Sequence, residues 1–292
     1  MPIQVGTAPD SWGVWFPDDP RQVPWQRFLD EVAESGYDSI ELGPFGYLPT
    51  NPAQLDSELR QRSLRVAGGT LSGAFSEESG WSEMQQRTSE LCQLLGYFDA
   101  HYVVLLDSAS SPDAPDLNDQ QWQCVRENLH RLADCTLSRS ITPVFHPHAD
   151  TTIQYEPQIE HLLELTDRAL VNLCLDVGHH AYAGGEPVSF FRKHHARIPY
   201  LHLKDVDASV TAHVRGAGLP MSQAVADGAF VDLGQGCVDF PGLARVADEV
   251  GYDGWGIVEQ DMYPAPPDKP LPIARRNRDY LDRILTHARA PE

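Results

Sequence analysis

The chain has 292 residues, 41% hydrophobic and 22% charged, a composition suited to a packed globular fold rather than a disordered or fibrous one. Its 22 Lys and Arg stand against 42 Asp and Glu, a formal charge of −20, so it lacks the basic footprint that nucleic acid or an anionic membrane surface requires. No basic-then-apolar leader opens it, no run reaches the about 18 apolar residues of a membrane span, and the five cysteines form no Cys-x-x-Cys pair, so a cytoplasmic chain with reduced thiols is expected.

Short apolar runs mark candidate strands at 3–8, 39–43, 65–70, 101–106, 141–146, 171–176, 199–204 and 255–260. Helical periodicity fills the intervals near 24–35, 53–63, 82–98, 118–138, 157–168, 187–196, 240–250 and 272–287. In WQRFLDEVAESG, Phe28, Leu29, Val32 and Ala33 form one apolar stripe and Gly36 stands where a helix C-cap belongs. DQQWQCVRENLHRLADC repeats the pattern with Trp122, Val125, Leu129 and Leu132.

Strict alternation of eight such units predicts an α/β fold, a single (β/α)₈ TIM barrel spanning 1–292. The competing doubly wound sheet usually opens on a Gly-rich turn, and no G-x-G-x-x-G follows the first strand. The one long irregular stretch, 206–239, reads as an enlarged loop over the catalytic face.

Barrel chemistry sits at the C-terminal ends of the strands. This chain offers Glu41 there after the second strand, Asp107 after the fourth, His146 and His148 around the fifth, and Asp176 after the sixth. His202 and Lys204 follow in the seventh and Glu259 in the eighth. Asp107 reads as a satisfied strand-end carboxylate, and Glu41 as either a substrate contact or a rim salt bridge. His, Asp, His and Glu recurring at one register in four successive strands are ligand types for a divalent metal, and imidazole plus oxygen without thiolate suits Mn²⁺, Co²⁺, Fe²⁺ or Zn²⁺. Coordination also accounts for an imidazole facing inward at His202, where an unpaired ring would be costly. His146 and His148 share a face if the strand runs on through Pro147, and the sequence leaves open which is the ligand. With His148 taken as ligand, His146 is left to the substrate. Lys204 should reach the barrel mouth, where a neighbouring dication would lower its pKa and make it an acid or a substrate anchor. His179 opens the next loop, placed to bind substrate or a metal-bound water. Trp12 and Trp15, after the first strand, are candidates to cover an apolar ring face, with core packing an equal reading of each. His180, His194 and His195 read as structural.

The motifs VGTAPDSWG, GYDSIELGPFGYLP, FHPHADTTIQ, LCLDVGHHAYAGGEP, IPYLHLKDVD, GAFVDLGQGCVDF and GYDGWGIVEQD together resemble the xylose isomerase-like barrel superfamily, and within it the inosose dehydratase (2-keto-myo-inositol dehydratase) branch. The resemblance implies a divalent metal, Mn²⁺ or Co²⁺ first, with Zn²⁺, Fe²⁺ or Mg²⁺ compatible, held by Asp176, His202, Glu259 and a fourth ligand from the fifth strand. Many isomerases and epimerases of the superfamily place Glu in that fourth position, and this chain has His. The implied reaction is dehydration of a cyclic keto-polyol: a base, Glu259 or a nearby His, removes the proton beside the ketone, and the enediolate expels the β-hydroxyl with His179, His148 or Lys204 as acid. A metal-dependent sugar isomerase or epimerase, a lyase acting on 3-keto glycosides, and a non-catalytic binding barrel are the competing expectations. The expected partner is a small carbohydrate or cyclitol, with no nucleic acid or membrane; a homo-oligomer is compatible.

Overall fold

The computed structural model describes residues 3–78, 81–108 and 116–287. Ten strands are assigned: Gln4–Thr7 (β1), Ser39–Pro44 (β2), Arg65–Gly73 (β3), Tyr102–Asp107 (β4), Thr142–His146 (β5), Asn172–Asp176 (β6), Tyr200–Leu203 (β7), Asp205–Val206 (β8), Phe230–Val231 (β9) and Trp255–Val258 (β10). Eight of them close into one parallel barrel in the order β1-β10-β7-β6-β5-β4-β3-β2. The outer helices are Trp25–Glu34 (α1), Pro52–Gln61 (α2), Trp81–Tyr97 (α3), Asp119–Leu137 (α4), Glu156–Leu165 (α5), Pro187–His194 (α7), Phe240–Glu249 (α10) and Pro270–His287 (α11), and Val177–Tyr182 (α6) is a short addition after β6. The expected (β/α)₈ architecture is therefore present, with strand positions close to those read from the sequence.

Alternation along the barrel strands sends one set of side chains outward to the helices and the other into the barrel. In β7, Leu201 and Leu203 join the large core between strands and helices, and Tyr200 belongs to an inner layer with Ala67, Val104, Val144, Cys174 and Ile257. Above that layer the inward positions turn polar.

The stretch 206–239 is more ordered than the sequence suggests. It holds two helices, Ala208–Gly216 (α8) and Met221–Ala226 (α9), and β9, which returns antiparallel to β8. Val206, Val214, Met221, Ala224, Ala229 and Phe230 give it a small core of its own against Ala149 and Tyr182. The helices are so short and Gly-bounded that periodicity alone does not reveal them. Asp205 anchors this cap: its carboxylate accepts backbone N–H bonds from Val206, Gly234, Gly236 and Val238. No described helix is long and apolar enough to cross a membrane.

Candidate metal centre and active-site cavity

β5, β6, β7 and β10 lie side by side, and parallel register sets Asp176 directly beside His202. Glu259 follows β10 and remains in register because its N–H donates to the Leu203 carbonyl. Ligand-type atoms of His146, Asp176, His202 and Glu259, all buried, lie within 4.8 Å of one another. Two of the donors are aimed by local bonds. Asp176 caps α6, its Oδ1 accepting from the N–H groups of Gly178 and His179, which leaves Oδ2 facing the cluster. His146 Nδ1 is 3.0 Å from the Pro147 carbonyl, which assigns its proton there and turns Nε2 toward Asp176. His202 Nδ1 stands 3.0 Å from Glu259 Oε2.

Donor chemistry and geometry fit a divalent cation. Asp176 Oδ2 and His202 Nδ1 are buried with only charged neighbours of the same cluster in reach, Lys204 Nζ at 3.2 Å and Glu259 Oε2 at 3.0 Å, and coordination would satisfy both atoms. No thiolate competes: Cys174 lies in the layer beneath, and burial pushes its thiol up to about 12.

Lys204 completes the floor. Its Nζ is 2.9 Å from Asp261 Oδ2, 3.1 Å from Glu259 Oε2, 3.2 Å from Asp176 Oδ2 and 3.0 Å from His179 Nε2. Burial disfavours its charge, yet Asp176, Asp261, Glu259 and Asp10 together hold its pKa well above the ordinary lysine value. That direction is set by the protein's own carboxylates; the lowering expected from the sequence is the opposing effect of a bound dication. For Glu259, burial is likewise outweighed, by His202 and Lys204, and its carboxyl is held below the usual range.

A cavity of about 490 Å³ opens above the cluster, lined on its polar side by Asp10, Glu41, His146, His148, His202, Lys204, Glu259 and Asp261. Trp15, Phe16, Pro44, Leu106 and Met221 contribute apolar wall.

The sequence-predicted residues distribute as follows. His146, not His148, joins the donor cluster: β5 ends at His146, so alternation no longer governs beyond Pro147. His148 instead lines the cavity, its Nδ1 2.8 Å from the Ala149 carbonyl and its ring packed at a tilt of 43° against His179, centroids 3.8 Å apart. His179 is buried behind Lys204 and His148, outside the residues that line the cavity. Trp12 is also away from it: its indole N–H donates to Glu31 and its ring packs on Phe28, so core packing is its role here. Trp15 does line the cavity, stacked on Tyr263 with centroids 4.7 Å apart. Glu41 reaches the lining, but its oxygens are engaged by Thr70, Tyr200 and His202. Asp10 and Asp261 were not anticipated. Asp261 was findable, since it continues the alternation two residues past Glu259; Asp10 sits in a short 3-10 turn that carries no period.

An eight-stranded barrel with a buried N/O donor cluster at one end is the frame of this molecule, and the chain belongs to the xylose isomerase-like TIM barrel family, whose model matches residues 29–284. Within that family it is 31% identical to the inosose dehydratase of Geobacillus kaustophilus (strain HTA426), an alignment covering 100% of this chain and 97% of the relative. Among solved structures it resembles the IOLI protein with a bound zinc atom (TM-score 0.77, 14% identity, 99% of this chain and 100% of that one). It also resembles the probable 3-DHS dehydratase AsbF from Bacillus anthracis (TM-score 0.75, 16% identity, 96% and 99%). At those identities the structural likenesses speak for the fold.

Proposed function

We propose that the chain is a divalent-metal-dependent dehydratase, a carbon–oxygen lyase acting on an uncharged cyclic keto-polyol such as 2-keto-myo-inositol. Full-length similarity to an inosose dehydratase supports the reaction class. The observation that carries the site is the cluster of His146, Asp176, His202 and Glu259 beneath a cavity where His148 and Lys204 present a base and an acid.

A divalent cation held by those four residues would supply Lewis acidity toward the ketone oxygen and lower the barrier to removing the neighbouring proton. Mn²⁺ or Co²⁺ is the ion proposed. His148, with its Nδ1–H committed to the Ala149 carbonyl, presents Nε2 as a lone pair to the cavity and serves as the base. The electron pair of the broken C–H bond forms the enolate double bond. Its return expels the β-hydroxyl, which leaves as water with a proton from Lys204, a donor-only ammonium fixed by its carboxylate neighbours. His179 holds the Lys204 ammonium in place, and Trp15 covers the less polar face of the ring.

Substrate charge follows from the lining. Lys204 is the single Lys or Arg among the described lining residues, and carboxylates already surround it. A carboxylated or phosphorylated ketone would meet Asp10, Glu41, Glu259 and Asp261 with no side-chain cation besides Lys204 and only the proposed metal ion to offset them, so a neutral cyclitol is favoured. The free cysteines, including buried Cys92 and Cys174, suit a reducing, cytoplasmic setting.

Incubating the Mn²⁺-loaded protein with 2-keto-myo-inositol should give a product lighter by one water in the mass spectrum. An isomeric product of unchanged mass would place the enzyme among the isomerases and epimerases instead. A carboxylated analogue such as 3-dehydroshikimate should not turn over.

A further inference from the structure

Glu41 lines the cavity, yet it is poorly placed to serve a substrate. It is almost wholly buried, at 2% exposure, in the middle of β2. Its Oε1 accepts from the Thr70 hydroxyl, and its Oε2 accepts from the Tyr200 hydroxyl at 3.1 Å and from His202 Nε2 at 3.0 Å. The other nitrogen of the same ring, Nδ1, faces the donor cluster, 3.0 Å from Glu259 Oε2 and 3.8 Å from Asp176 Oδ2. A neutral imidazole carries one N–H and one lone pair, and the nitrogen that donates decides which one can ligate.

From this geometry we infer that Glu41 is a positioning residue of the metal centre: it fixes His202 in the Nε2–H tautomer and so dedicates Nδ1 to the cation. Thr70 and Tyr200 hold the carboxylate in turn, so the chain Thr70/Tyr200–Glu41–His202 crosses the barrel from β2 and β3 to β7. The carboxylate also raises the basicity of the ligating nitrogen. This rests on the metal-site reading above and not on the identity of the substrate.

The test is Mn²⁺ affinity of the metal-stripped protein, measured by calorimetry without substrate. Glu41→Gln should keep the circular dichroism spectrum of the fold and weaken Mn²⁺ binding by about 10- to 100-fold, the usual effect of removing such a partner. Activity should return at saturating Mn²⁺ with little change in KM. Unchanged Mn²⁺ affinity with a raised KM would make Glu41 a substrate contact and overturn the inference. Should Glu41→Gln fail to fold, Tyr200→Phe decides: a severalfold loss of affinity supports the inference, and none overturns it. Nitrogen-15 NMR of the Zn²⁺-loaded protein gives a second readout, with Nε2 of His202 protonated and Nδ1 metal-bound; metal on Nε2 would overturn it. A wild-type protein that binds Mn²⁺ but does not dehydrate 2-keto-myo-inositol would remove the proposed reaction and leave the Glu41 inference standing. One that binds no Mn²⁺ would remove both.

Discussion

His146 and His148 stand two positions apart and meet different surroundings because Pro147 between them has no N–H to extend the sheet. His146 keeps the inward register of β5, and His148 takes its orientation from a turn. His146→Ala should therefore abolish stoichiometric Mn²⁺ binding, read by elemental analysis after gel filtration, whereas His148→Ala should retain the metal and lose turnover by two or more orders of magnitude. Retention of the metal by His146→Ala, with its loss in His148→Ala, would reverse the assignment. At this scale Asp176, His202 and Glu259 were legible because strand alternation reaches their Cα positions. The choice at 146 or 148 was not, since it depends on where one strand stops. Trp12 was left open between ligand and core for a related reason: a tryptophan beside a strand end looks the same in sequence whether its ring turns toward ligand or toward Phe28.

Among the elements, α6 has the most influence on the site for its size. Six residues long, it would be marginal alone, yet Asp176 caps it and is aimed at the cluster by the same bonds. Gly178 lets it sit against β7: a Cβ there would come within 2.7 Å of Lys204 Cβ and 2.9 Å of the Lys204 carbonyl oxygen. Gly178→Ala is expected to cost about 1–3 kcal/mol in urea unfolding and to lower kcat by displacing Lys204. An unchanged unfolding midpoint would show that the contact can be relieved. The cap built from α8, α9 and β9 hangs on Asp205, whose four backbone partners span both ends of the insertion. Asp205→Ala should raise KM and speed proteolysis within 206–239, with the barrel's circular dichroism retained. The eight-fold alternation was readable because strands and helices there are long relative to their periods. α6, α8 and α9 were not, because each draws its stability from a cap or a small tertiary core.

Over the whole molecule, charge and metal are coupled. Asp10, Glu41, Asp176, Glu259 and Asp261 converge on one end of the barrel, and a dication there offsets a repulsion that burial strengthens. Binding at a hundred times Kd adds about 2.7 kcal/mol to stability, so EDTA treatment should lower Tm by several degrees, restored by Mn²⁺ in calorimetry. The donors also come from four staves of the barrel, and the last, β10, pairs with β1 from the opposite end of the chain, Gln4 beside Trp255. The set spans residues 146–259, and the strand before its last member closes the barrel against the start of the chain. Cation uptake then reports a late event of refolding: in dilution from urea with Co²⁺ present, far-ultraviolet ellipticity should recover before the visible absorbance of the bound ion appears, since the set needs β10 seated between β7 and β1, and the β1–β10 contact spans the largest sequence separation in the barrel.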